Sequence, residues 1–221
     1  MFFENVVKVG GHLGHTTRTW HPKMAPYIFD NRDGVHVLDM VQTEIYLNQV
    51  KQFLSRAKQQ GSTVLFVGTK PQASNAIELA AKSCNAFYIN QRWLGGLLTN
   101  WSTLRRSIAL LNRMDVIKDK GILETLPKKL KSSFYREHAR LDKYLGGIKS
   151  MRSIPDVVII VGQDKENIAL NECKKLGIRT ITLLDTNSNP ELADLFIPMN
   201  DDSMKAIRSV LQQLSFELAK A

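Results

Sequence analysis

Nothing in this sequence approaches the roughly 18–20 uninterrupted apolar residues that a helix needs to cross a bilayer. Cysteine is nearly absent. Cys84 and Cys173 are the only two in 221 residues, far apart and not arranged as C-x-x-C. They read as buried free thiols in a reducing compartment. A disulfide would need the fold to bring their Cα atoms within about 7 Å, and nothing in the sequence suggests it. Met1-Phe2-Phe3-Glu4-Asn5 lacks the basic-then-apolar order of a secretory signal and the Arg- and Ser-rich run of a transit peptide. The stretch Val67-Gly68-Thr69-Lys70-Pro71 has one glycine where a phosphate loop needs G-x-x-x-x-G-K-[ST]. Five scattered histidines offer no nucleophile–base arrangement, so no active site is visible.

What is present is charge of one sign in one place. Hydrophobic residues make up 43% and charged residues 23%, as in an ordinary globular protein, yet the net charge is +9. Residues 104–152 hold 13 Lys and Arg against 5 Asp and Glu, whereas the rest holds 17 against 16. A field this uneven points to a localised contact with a polyanion.

Hydrophobic periodicity gives the fold class. Gly34–Asp39, Ser62–Gly68, Ala86–Asn90, Pro155–Val161, Thr180–Asp185 and Leu195–Pro198 read as strands. Gln42–Gln60, Pro71–Cys84, Lys165–Leu176 and Asp202–Ala219 read as amphipathic helices. Continuously apolar strands alternating with helices predict an α/β body, a parallel sheet covered by helices on both faces. The alternation is interrupted at about 102–149. There Leu104, Ile108, Leu111, Met114 and Ile117 form one stripe, and Leu130, Phe134, Leu141, Leu145 and Ile148 a second. Lys120-Gly121 supplies a turn, so the segment reads as an antiparallel helical hairpin inserted between body segments 1–101 and 150–221. Asp115 and His138 stand where a strict heptad would be apolar.

Two Gly-rich stretches carry recognition chemistry. In Gly11-His-Leu-Gly-His15 and the run to Tyr27, Gly, Pro and aromatics alternate with Arg18, His21 and Lys23. That suits a loop laid on phosphates, with Trp20 as a stacking group, or an irregular arm with buried aromatics. Asn90-Gln-Arg-Trp-Leu-Gly-Gly-Leu-Leu-Thr-Asn-Trp101 groups Arg92, Trp93 and Trp101 around Gly95-Gly96. Its indoles either brace the hairpin or contact RNA. His12 and His15 read as structural, since a zinc site needs four ligands. Asp39, Asp185, Asp201 and Asp202 follow strands, where carboxylates hold Mg²⁺ or cap helices; for Asp201 and Asp202, capping is preferred.

These stretches resemble the family of protein two of the bacterial-type small ribosomal subunit. The matching text runs G-G-H-L-G-H, W-H-P-K-M-A-P-Y-I-F, L-F-V-G-T-K-P-Q-A, Y-I-N-Q-R-W-L-G-G-L-L-T-N-W, L-G-G-I-K-S-M, P-D-V-V-I-I-V, L-L-D-T-N-S-N-P-E-L-A-D and I-P-M-N-D-D, in the family's order over nearly the whole chain. The resemblance implies a flavodoxin-like parallel sheet flanked by helices, with a protruding coiled-coil hairpin. It implies a non-enzymatic component of the small subunit, without cofactor and not a homo-oligomer. Expected partners are 16S-type ribosomal RNA and neighbouring ribosomal proteins, among them the large mRNA-binding protein one, with no membrane. Gly162 stands where the family has Asp, and Ser188 where it has Cys. T-N-W-S-T, P-D-V-V-I-I-V and L-A-D-L-F-I-P look more like chloroplast versions than bacterial ones, and the absence of a transit peptide suits a protein made inside the plastid or its mature form; the alternatives are the bacterial cytoplasm and, after it, a mitochondrion.

The side chains expected on RNA are Arg18, Lys23, Arg92, Arg105, Arg106, Lys128, Lys129, Lys131, Lys149 and Arg152, with Trp20 stacking. Arg105, Arg106, Lys128, Lys129 and Lys131 are expected together at the hairpin base. The competing reading is an RNA-directed α/β enzyme whose nucleotide or Mg²⁺ site uses Asp39, Asp185 and Gly68-Thr69-Lys70.

Overall fold

The computed structural model describes residues 2–125 and 127–220. Helix α1 (Phe2–Lys8) is followed by β1 (Leu13–Thr16), a 3-10 turn at Pro22–Tyr27, β2 (Ile28–Arg32) and β3 (Val35–Leu38). The strand expected at 34–39 exists, but it lies in a separate antiparallel sheet of order β1-β3-β2. Its partners fall in the stretch read as irregular and just beyond it. Strand β2 (Ile-Phe-Asp-Asn-Arg) is almost wholly exposed, so it has no hydrophobic alternation to betray it. The cue that the sequence does hold is Asp33-Gly34, where both residues have positive φ, 52° and 80°. That pair makes the two-residue turn favoured in hairpins.

Then come α2 (Met40–Gln59), β4 (Val64–Val67), α3 (Pro71–Ser83), β5 (Phe87–Ile89), α4 (Trp101–Asp119), α5 (Lys128–Leu145), β6 (Val157–Val161), α6 (Asn167–Leu176), β7 (Arg179–Leu184), β8 (Leu195–Pro198) and α7 (Met204–Lys220). The last five strands form one parallel sheet in the order β5-β4-β6-β7-β8. Counting only its own strands in chain order, that is 2-1-3-4-5, the flavodoxin-type order. Helices pack on both faces. Val64, Phe66, Val157 and Ile159 join residues of α2, α3 and α7 in one core. The alternate residues Leu65, Val67, Val158 and Ile160 join α6 and the roots of α4 and α5 in the other. A period of two with both faces buried is why these strands read as unbroken apolar runs.

Helices α4 and α5 pack antiparallel. Ile108, Leu111, Leu145 and Ile148 at their roots are buried in the second core. Gly147 makes the return possible, because a Cβ there would stand 2.1 Å from the Tyr88 carbonyl oxygen. Toward the turn the seam thins, and Leu130, expected on the inner stripe, is 56% exposed. With Asp115 level with His138, Leu130 lies beyond the end of α4 at Asp119. The two polar interruptions of the stripes find each other: His138 Nε2 lies 2.7 Å from Asp115 Oδ1, and Lys149 pairs with the other carboxylate oxygen.

Candidate nucleic-acid interface

Eleven of the 13 basic side chains between 104 and 152 are exposed; Lys131 and Lys149 are half-buried. They do not form the single basal cluster expected from sequence. Arg105 and Arg106 lie in the first turns of α4, at the hairpin root. Lys128, Lys129 and Lys131 open α5, at the far end, because the chain has by then run the length of α4. With Asp115 level with His138 and 1.5 Å per residue, the two groups are about 27 Å apart along the hairpin. Lys149 is held by Asp115 and does not project as an unengaged phosphate ligand. That contact and His138 hold the Asp115 carboxyl below its usual range, the His138 hydrogen bond foremost. Arg152 is exposed. Sequence reasoning omitted Arg136, Arg140 and Lys143, although their i, i+4, i+7 spacing on α5 marks a shared face.

The loop joining β5 to α4 is built around a residue that sequence reasoning missed. Glu172, buried on α6, accepts hydrogen bonds from Trp93 Nε1 at 3.0 Å, the backbone N–H groups of Gly96, Leu98 and Thr99 at 2.8–3.1 Å, and the Thr99 hydroxyl at 3.1 Å. Burial works against its charge, but the bonds from Trp93, Thr99, Leu98 and Gly96 outweigh it and hold its pKa below the ordinary value. The legible signal was a carboxylate set among Ala169, Leu170 and Cys173 on an otherwise apolar helix face. The indole question resolves toward packing: Trp93 is buried and Trp101 packs against the same core. Arg92 and Asn100 are exposed on the loop.

At the N-terminal arm, Arg18 is exposed. Trp20, expected to stack on RNA, is half-buried with its ring 5.0 Å from that of His36. Lys23 pairs with Glu191. The arm crosses the carboxyl edge of the parallel sheet. His15 N donates to Thr186 Oγ1 at 2.8 Å, and a Cβ on Gly14 would stand 2.5 Å from Thr186 Cγ2. Only glycine permits that approach.

The sheet edge, where α/β folds place ligands, is filled by the chain's own groups. Thr69 N and Oγ1 both donate to Glu166 Oε1, at 2.8 and 2.5 Å, so this part of the glycine-poor loop is already engaged. Lys70 Nζ lies 2.6 Å from Asp201 and 3.0 Å from Asp202. His15 faces Asp185 at 3.1 Å and Asp202 at 3.4 Å. The donor atoms of His15, Asp185, Asp201 and Asp202 lie within 4.8 Å of one another, and Lys70 brings a positive charge among them. Burial pushes Asp201 up to about 6, with Lys70 pulling the other way. The Asp185 hydrogen bond raises His15. Gly162, at φ 83°, leaves room for this lysine, since a Cβ would stand 2.9 Å from Lys70 Cε. Asp201 and Asp202 therefore do not cap the last helix as expected. Ser203 does, its hydroxyl accepting from Ala206 N at 3.4 Å. Asp39 caps α2 through Val41 N and Gln42 N.

The family pattern for ribosomal protein S2 matches residues 6–220. The chain belongs to the ribosomal protein S2 family. It is 52% identical over 210 residues to small ribosomal subunit protein uS2c of Oltmannsiellopsis viridis, covering 95% of this chain and 88% of that one. It is 47% identical to uS2c of Cyanophora paradoxa, covering 96% and 91%. It is 49% identical to uS2 of Synechococcus sp. (strain JA-2-3B'a(2-13)), covering 95% and 80%. The family is a structural component of the small ribosomal subunit, not an enzyme, which removes the RNA-directed enzyme reading. The uS2c relatives assign this S2 chain to plastid ribosomes. Among the described residues no helix is long and apolar enough to cross a membrane.

Proposed function

We propose that this S2-family protein is a passive scaffold that binds 16S-type ribosomal RNA through its hairpin, acting as an arm (102–149) on a body of residues 1–101 and 150–221. The observation that carries this is the charge: 13 basic against 5 acidic residues in 104–152, eleven of the cations exposed, on a body that is otherwise almost neutral. Cations that neutralise phosphates release counterions, so affinity falls steeply with salt. Side chains cannot read the deep groove of A-form helices, and orientation comes from shape and backbone contacts instead. Arg105, Arg106, Lys128 and Lys129 supply charge at the two ends of the hairpin. Arg152, and Arg92 on the loop braced by Glu172, supply it at the root, and Arg18 on the arm. Lys23, Lys131 and Lys149 take part only if they exchange their present partners. The hairpin acts as a short coiled coil, and neighbouring small-subunit proteins, the large mRNA-binding protein one among them, complete the set of partners.

The test is a titration of the intact protein with 16S-type RNA fragments over a range of salt, repeated with Arg105, Arg106, Lys128, Lys129 and Lys131 all replaced by Gln. Tight, salt-sensitive binding that weakens in the variant is expected. Binding by wild type that ignores salt, or a variant that binds and enters subunits unchanged, contradicts the proposal.

A further inference from the structure

The cations of the hairpin are not spread evenly around its helices. Because His138 faces Asp115 across the seam, it marks the inner side of α5. At 100° per residue, Lys129, Arg136, Arg140 and Lys143 all fall within about 40° of the line opposite His138. All four are exposed. The acids of α5 lie elsewhere: Glu137 about 100° and Asp142 about 40° from His138. Tyr135 is also turned off that line, while Ser133 lies on it. The outer edge of α5 is thus a run of about 21 Å with four cations, a hydroxyl and no acid, and Lys143 Nζ lies 5.8 Å from the centroid of the half-buried Tyr144 ring. Arg140 also bonds Glu137 at 2.7 Å. That pair is exposed, so it gives way readily to a stronger anion.

The outer edge of α4 differs. Opposite Asp115 it carries Arg113 and, at the turn, Lys120, but also Leu110, 46% exposed, with Val116, 50% exposed, beside it. Apolar groups between cations cannot follow a continuously charged and hydrated backbone.

We propose that the outer edge of α5, through Lys129, Arg136, Arg140 and Lys143, tracks the phosphates of one RNA backbone, and that the outer edge of α4 beyond its root does not. This rests on the RNA-scaffold reading and assigns it to one side of one helix. The contact is sequence-independent, since phosphate contacts fix register without reading bases.

The test measures affinity of the full-length protein for 16S-type RNA fragments against salt. One variant combines Lys129→Gln, Arg136→Gln, Arg140→Gln and Lys143→Gln; a second combines Arg113→Gln and Lys120→Gln. The first should make the slope of log affinity against log salt less steep by about three, at roughly 0.7–0.9 per lost contact. The second should leave it nearly unchanged. A third variant exchanges Lys and Arg at the same four positions and should keep the wild-type slope. The proposal is overturned if the first variant retains that slope, if the second loses as much per charge, or if the charge-preserving exchange also loses it. If wild type itself shows no salt-sensitive binding, the scaffold reading fails instead.

Discussion

Glu172 shows how much a single side chain organises. Five donors converge on it, so replacing it with Gln turns an amide N–H₂ toward N–H groups that then lack a partner. Glu172→Gln should cost about 1.5–3 kcal/mol in urea unfolding, the range for hydrogen bonds to a charged group. The pH dependence follows in sign. Its folded pKa lies below the ordinary 4.5, so its contribution is fully present above that value and is lost as pH falls through the folded pKa. The gap between wild type and Glu172→Gln should therefore be constant near neutrality and narrow below about pH 4.5. A gap that grows on acidification contradicts this. Gly14→Ala forces a methyl group against buried Thr186 and should cost about 1–3 kcal/mol, with faster amide exchange in β1. Cys173 is buried and its thiol is pushed up to about 12 by burial, with Glu172 and Asp194 adding to the effect. A thiol reagent at pH 8 should label it only on unfolding. The cysteines read as unpaired from sequence and are free in the structure, but the role of Glu172 as a hub is not legible, since its partners lie 73–79 residues away.

At the scale of elements, the strands and helices of the parallel sheet were legible because each buries a continuous face. The antiparallel sheet was not, because β2 buries almost nothing and only the Asp33-Gly34 turn pair marks it. The hairpin was legible as two stripes, whereas its register rests on the two residues that broke them. A polar pair in a seam of apolar residues fixes which turns face each other. A double-mutant cycle on Asp115→Asn and His138→Gln should show a coupling of about 0.5–3 kcal/mol. A coupling near zero would mean that the pair is incidental. The five cations expected at the base were misplaced for a related reason. Nearness in composition is not nearness in space: an antiparallel return sends Lys128 and Lys129 to the opposite end from Arg105 and Arg106.

For the whole molecule, an almost neutral α/β body carries a projecting pair of helices that holds most of its excess charge. The ligand crevice of the sheet is occupied by Lys70, the carboxylates around it and the N-terminal arm, so the fold's usual place for a small molecule is closed by the protein itself. On the proposed reading function lies on the outer surface, and electrostatics without chemistry fits membership of a structural ribosomal family. The most direct measurement is sedimentation of the tagged full-length protein in a native plastid lysate, with the co-sedimenting RNA sequenced. The same run is made with the five-residue Gln variant. Wild type should travel with the small subunit and its 16S-type RNA, and the variant should shift toward the top of the gradient at raised salt. Wild type found free of ribosomal RNA, or a variant that sediments with it undiminished, would contradict the account.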